Sequence, residues 1–229
     1  MNPKPKAHTL AFTLILIFAL QGCSTFKLKN IAKSDTNLAT DQHIQQVEIY
    51  LRRLTVKLYK RNPSELLKAL QPHTVDERLE QLFGNKEHII SSELNNKEEI
   101  DAMELTFSTE FEGDRVFALM AGVTGMIRHS YNYNKEMFLL DNLDPEKLLK
   151  SARNIEVMAW KLGSAFQDDG KPFLITHTRN GVIDNLSFER LYGKIIGQQY
   201  ILGKVIDDKE SRSINFIIHS GASMVFLPF

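Results

Sequence analysis

The chain has 229 residues, with 28 basic and 28 acidic side chains and a pI near 7.1, so no strong field draws it to nucleic acid or an acidic polymer. One cysteine leaves no internal disulfide, and stability has to come from packing. Fourteen Phe, with abundant Leu and Ile, place it among ordered domains rather than disordered chains.

Lys4 and Lys6 precede an uncharged run of 12 residues, Thr9 to Leu20, which ends in Leu20-Gln21-Gly22-Cys23 and then Ser24. A positive start, a short apolar stretch and a small residue before a cut site are the parts of a secretory signal. A helix needs roughly 20 apolar residues to span a bilayer, so a transmembrane anchor is the weaker reading. Leu20-Gln21-Gly22-Cys23 resembles the lipobox of bacterial lipoproteins, an apolar residue and two small or tolerated ones before cysteine. Gln21 departs from the pattern, since small residues are commoner there. The resemblance implies cleavage after Gly22 and three acyl chains on Cys23, through a diacylglyceryl group and an N-acyl chain, with no other cofactor. One myristoyl chain gives only marginal binding, at about 0.8 kcal/mol per buried methylene, whereas three hold a protein durably. Ser24, where an aspartate would imply inner-membrane retention, implies the outer membrane of a Gram-negative cell, on its periplasmic face.

Residues 1–22 therefore read as signal, 23–36 as a flexible lipidated tether and 37–229 as a single, mostly helical periplasmic domain. Without Lys4 and Lys6 the remainder carries 26 basic and 28 acidic residues, a formal charge of −2. Ile44, Val47, Leu51, Leu54 and Leu58 recur at steps of 3 and 4, one face of a helix that Pro63 closes. Leu66, Leu67 and Leu70 mark a short helix before Pro72. Thr74 and Glu77 form a capping box, opening a helix that buries Val75, Leu79, Leu82 and Phe83 and stops at Gly84. Residues 85–96 are polar and predict a loop. Ile100, Met103, Phe107 and Phe111 predict another helix, closed by Gly113. Asp114 caps the next, which runs to about Tyr131 with Val116, Met120, Val123 and Ile127 inward.

Asp144-Pro145 is a strong helix start, an N-cap followed by proline at the first helical position. Leu148, Ala152, Ile155, Ala159, Leu162 and Phe166 then form its buried stripe. Between Lys171 and Asn185 the period changes. Phe173 to Thr176, then Asn180-Gly181, then Val182-Ile183 predict a β-hairpin. Ser187 caps a last helix with Phe188, Leu191, Ile195, Leu202 and Val205 inward. Ile214–Ile218 and Met224–Leu227 predict two further strands, and the tail to Phe229 packs into the domain. The fold class is mainly α, a helical bundle with a small antiparallel sheet near the C-terminus. The segment from Phe138 to Glu156 is similar to stretches in Gram-negative lipoproteins, a resemblance that brings no activity with it.

Few residues point to chemistry. Ser24 and Lys27 match a serine–lysine spacing of penicillin-binding enzymes, but they lie in the tether, and chance accounts for them. Neither a metalloprotease helix, a nucleophile elbow nor a phosphate-binding glycine loop occurs. His43, His73, His88, His129, His177 and His219 show no metal-ligand spacing. His177 and His219 fall on predicted strands that would meet if paired, with Asp184 the nearest carboxylate. The plainer reading is two surface imidazoles. Arg53, Lys57, Lys60 and Arg61 share a face that would suit lipid phosphates, or is simply solvated. Ala118, Gly122 and Gly125 mark close helix packing, or else a groove for an acyl chain.

No catalytic or metal residue is assigned on these grounds. The leading expectation is a non-enzymatic envelope lipoprotein acting in binding or assembly through another envelope protein. The alternatives are a carrier of lipid or another apolar ligand, and an envelope-acting enzyme built from dispersed side chains.

Overall fold

The computed structural model describes residues 35–69, 71–137, 143–179, 182–183, 185–210 and 224–229. Cys23, Ser24, Lys27, Asp184 and His219 lie outside the described residues. Six α-helices occur among those described: α1 (Asp35–Arg61), α2 (Val75–Phe83), α3 (Glu99–Leu105), α4 (Arg115–Ser130), α5 (Pro145–Ser164) and α6 (Ser187–Glu210). The mainly helical class read from the sequence is the one that forms.

α4 is apolar on every side, so it lies at the centre, where no face needs water. Every residue from Arg115 to Ile127 is buried. The Asp114 carboxylate starts this helix by accepting from the Phe117 backbone N–H at 2.9 Å. Around α4 pack α1, α2, α3 and α5, while α6 lies along α5 and against α1 as an outer layer. The predicted face of α1 points inward: Val47, Leu51, Leu54 and Leu58 are at most 2% exposed. Burying each such leucine contributes roughly 1.5–3 kcal/mol.

The predicted caps form. Thr74 and Glu77 exchange both hydrogen bonds of a capping box at the start of α2. Asp144 accepts from the Glu146 N–H at 2.9 Å, with Pro145 at the first position of α5. For α6 the capping acceptor is the side chain of Asn185, not Ser187, taking the Ser187 N–H at 2.9 Å.

Other boundaries differ. The short helix before Pro72 is a 3-10 turn over Pro63–Leu67, and Leu67 is exposed. α3 ends at Leu105 although Phe107 and Phe111 continue its period, and Arg115 satisfies carbonyls at and beyond that end. Its guanidinium donates to the carbonyls of Leu105, Thr106 and Ser108 at 3.3, 3.2 and 2.9 Å. α5 stops before Phe166, whose ring is exposed, and Val205 of α6 faces outward.

The expected hairpin and sheet are not supported: of the predicted strands only a two-pair ladder, β1 (Thr178–Arg179) with β2 (Val182–Ile183), is present among the described residues, and the predicted turn Asn180-Gly181 lies outside them. Phe173 and Leu174 are instead buried against the helices outside any strand. The predicted strand Ile214–Ile218 lies outside the described residues, and Met224–Leu227 is not a strand. The tail does pack inward. Phe226 is buried beneath Lys161, and Asn154 exchanges two hydrogen bonds with the Leu227 backbone at 2.7 and 3.0 Å.

Candidate functional site

Two open grooves flank α6, because alternate sides of that helix meet different neighbours. Glu189, Gly193 and Ile196 face α5, while Arg190 and Lys194 face α1.

The α5–α6 groove has a volume of about 550 Å³. Glu156, Trp160 and Gly163 line one wall at steps of 4 and 3, off the buried stripe of α5. His177 closes one end. Its ring packs on the backbone of α5, where a Cβ at Gly163 would lie 2.9 Å from Cε1, so glycine is what admits it. Its Nδ1 lies 3.4 Å from Glu189 Oε1 and 3.2 Å from Thr176 Oγ1. At the groove wall the Tyr192 hydroxyl is buried without a hydrogen-bond partner among the described residues, and burial pushes its pKa up. Ser164 commits its hydroxyl to the Trp160 carbonyl at 2.7 Å, so it is no activated nucleophile. Trp160, the sole tryptophan, is 48% exposed. Glu156 is already paired with Arg153 at 2.8 Å, so the arrangement suits an apolar or aromatic group laid against Trp160, with a basic group reaching Glu189.

The other imidazoles are dispersed among different elements. His43 joins α1 to α6 and the end of α4 through Gln198 Oε1 and the Tyr131 hydroxyl, each at 2.9 Å, and burial lowers its pKa. His73 lies 3.6 Å from both Glu77 and Glu93. His88 and His129 come together around Tyr133, their ring centroids 4.4 and 5.4 Å from its own, and the Phe229 ring lies tilted against His129 at 5.2 Å. Glu99 binds this stack from α3, accepting from His129 Nδ1 at 2.9 Å and from the Tyr133 hydroxyl at 2.6 Å. Glu99 and Tyr133 have φ of 49° and 59°, a left-handed backbone that the hydrogen bond between them helps to hold. No group of three or more His, Cys, Asp or Glu among the described residues is arranged to hold a metal ion.

The small residues of α4 leave no room for an acyl chain. A Cβ at Gly122 would lie 2.4 Å from the Glu99 carbonyl oxygen, and one at Gly125 3.4 Å from Glu99 Cγ. Ala118 is fully buried. The cavity beside Ile127 and Thr124, at about 40 Å³, is the size of one or two waters.

Of the predicted basic face, Arg53 and Lys57 line the second groove, and Lys60 and Arg61 do not. Trp160, Glu189 and Tyr192 belong to no motif in the sequence. A lone tryptophan off the apolar stripe of its helix was the available signal for the first. No protein family, curated protein or solved structure matches this chain.

Proposed function

We propose that the chain is a lipoprotein anchored through Cys23 to the outer membrane, whose helical domain binds another envelope protein in the α5–α6 groove. The observation that carries this reading is the only cysteine standing directly behind a short uncharged run and Leu20-Gln21-Gly22. A lipid anchor also accords with the helices: none among the described residues is long and apolar enough to cross a membrane. The groove supports binding rather than turnover, because His177 contacts Glu189 and Thr176 while the neighbouring Ser164 hydroxyl is already committed.

A photocrosslinking amino acid placed at Trp160 tests the groove in intact cells. One discrete adduct is expected, absent when the same group replaces exposed Asp101 and lost again in a Glu189→Lys background. Adducts of equal yield from both positions would contradict the assignment.

A further inference from the structure

We propose that the α1–α6 groove is a second membrane contact, docking the domain on an anionic lipid surface by holding lipid phosphates. Arg52, Arg53 and Lys57 come from α1, and Arg190 and Lys194 from α6, around a space of about 520 Å³. The floor is apolar, Val56 and Leu191, and no carboxylate lines it. Arg52 turns its guanidinium to Glu48 and to the Phe83 carbonyl and ring, so four cations, Arg53, Lys57, Arg190 and Lys194, converge here in a chain whose acidic and basic residues balance.

Little of that charge is answered from within. Arg52 pairs with Glu48 at 2.8 Å, but the Arg53 and Arg190 side chains have no ion pair or hydrogen bond among the described residues. Lys57 donates to the Ser187 hydroxyl and sits over the Phe188 ring, while Lys194 lies 5.2 Å from the Tyr50 ring. Those aromatic contacts orient the ammonium groups without neutralising them. Burial and the nearby Arg61 hold Lys57 below its ordinary pKa, the mark of a cation short of counter-charge.

The surface beside the groove separates a lipid surface from other anions. Along α6, Ile201 and Val205 follow Arg190 and Lys194 on the same side and are 63% and 50% exposed. On α1, Ile49 precedes Arg53 by one turn and is 41% exposed. The two helices run antiparallel, since Lys57 meets Ser187 and His43 meets Gln198, which puts these apolar residues beyond the same end of the groove. A cationic patch bordered by exposed aliphatic side chains matches a bilayer interface, phosphates meeting the cations and isoleucines entering the acyl boundary. The distance allows it. Eleven residues separate Cys23 from the start of α1, a span of at most about 40 Å.

The inference rests on the anchor reading only for which surface is nearby, and a full chain carrying Cys23→Ala separates the two. Flotation with vesicles of equal phosphatidylglycerol and phosphatidylcholine, against phosphatidylcholine alone, reads the anionic preference. In that background Arg53→Glu with Arg190→Glu should lower partitioning onto anionic vesicles by at least about tenfold, at roughly fivefold per cation lost. Lys97→Glu with Lys171→Glu, equal in charge change but outside the groove, should leave it within about twofold. Ile201→Ser should weaken vesicle binding while sparing retention of inorganic phosphate. Anionic partitioning unchanged by the Arg53 and Arg190 reversals would overturn the proposal. So would groove-dependent phosphate binding with no effect of Ile201→Ser, which would mark a free-phosphate site. Absence of lipid on Cys23 would refute the anchor and leave this result standing.

Discussion

Replacing Arg78 by alanine should cost about 3–5 kcal/mol, because it strips the counter-charge from buried Asp114 and half-buried Glu93. Arg78 is 0% exposed, forks onto Glu93 at 2.7 and 3.1 Å and lies over the Phe117 ring. Its Nε stands 3.2 Å from Asp114 Oδ2 without hydrogen-bond alignment, so attraction there only partly offsets desolvation. Asp114 also accepts from the Tyr59 hydroxyl at 2.8 Å, yet burial still pushes its pKa up to about 6. The ionised form is therefore penalised in the fold. Stability from this group is full below the ordinary carboxylate pKa and is lost as pH rises through about 6. Without Arg78 that penalty grows, and Glu93, now held below its ordinary pKa by Arg78, loses its own stabilisation above that range. Urea titrations should therefore find a larger gap between wild type and Arg78→Ala at about pH 7.5 than at about pH 4.5. An equal gap at both would show that Arg78 acts by packing alone. Arg78→Met combined with Asp114→Asn should recover much of the loss, since no buried charge is then left on either residue and the amide oxygen can still accept from the Phe117 N–H and the Tyr59 hydroxyl.

Gly122→Ala should destabilise toward the upper end of about 1–3 kcal/mol, through a clash that no rotamer relieves. The new methyl would lie 2.4 Å from the Glu99 carbonyl oxygen and 2.6 Å from the Met103 nitrogen, both backbone atoms of α3. Either α3 moves off α4 or the backbone bends. Because Glu99 holds His129 and Tyr133, the shift should loosen the ring stack and change both imidazole proton resonances. Gly197→Ala is the contrast. Nothing lies within 4 Å of a Cβ there, so alanine should stabilise α6 by up to about 1 kcal/mol. A Gly122→Ala protein that unfolds at the same urea concentration as wild type would refute the close approach of α3 and α4.

Those two residues also show which parts of the molecule local sequence determines. Thr74 with Glu77, Asp114, and Asp144 with Pro145 were legible because a cap is settled within three residues by backbone groups that need a partner. The stripe of α1 was legible because its period is the helix's own. Arg78 was not, since a charge beside Val75 and Leu79 reads as surface until Glu93 and Asp114 are brought to it by tertiary packing. The end of α3 was hidden likewise, since Phe107 and Phe111 continue its period while the carbonyls there are satisfied by the Arg115 guanidinium from the next helix. Val205 and Phe166 continued their apolar periods yet face outward, because periodicity does not reveal where a neighbouring helix stops covering them. Half of each groove was visible at most. Arg53 and Lys57 stood out on α1, but Arg190 and Lys194 join them only through the antiparallel packing of α6. The sequence pairs His177 with His219, which lies outside the described residues; the described neighbours of His177 are Glu189, Thr176 and Gly163, brought to it by tertiary packing.

The proposed location turns on Cys23, and incorporation of labelled palmitate in growing cells measures its role directly. The wild-type chain should take up label that survives delipidated-gel analysis, and Cys23→Ala should take up none and remain uncleaved. Wild-type chain without label, or equal label in Cys23→Ala, would contradict the anchor.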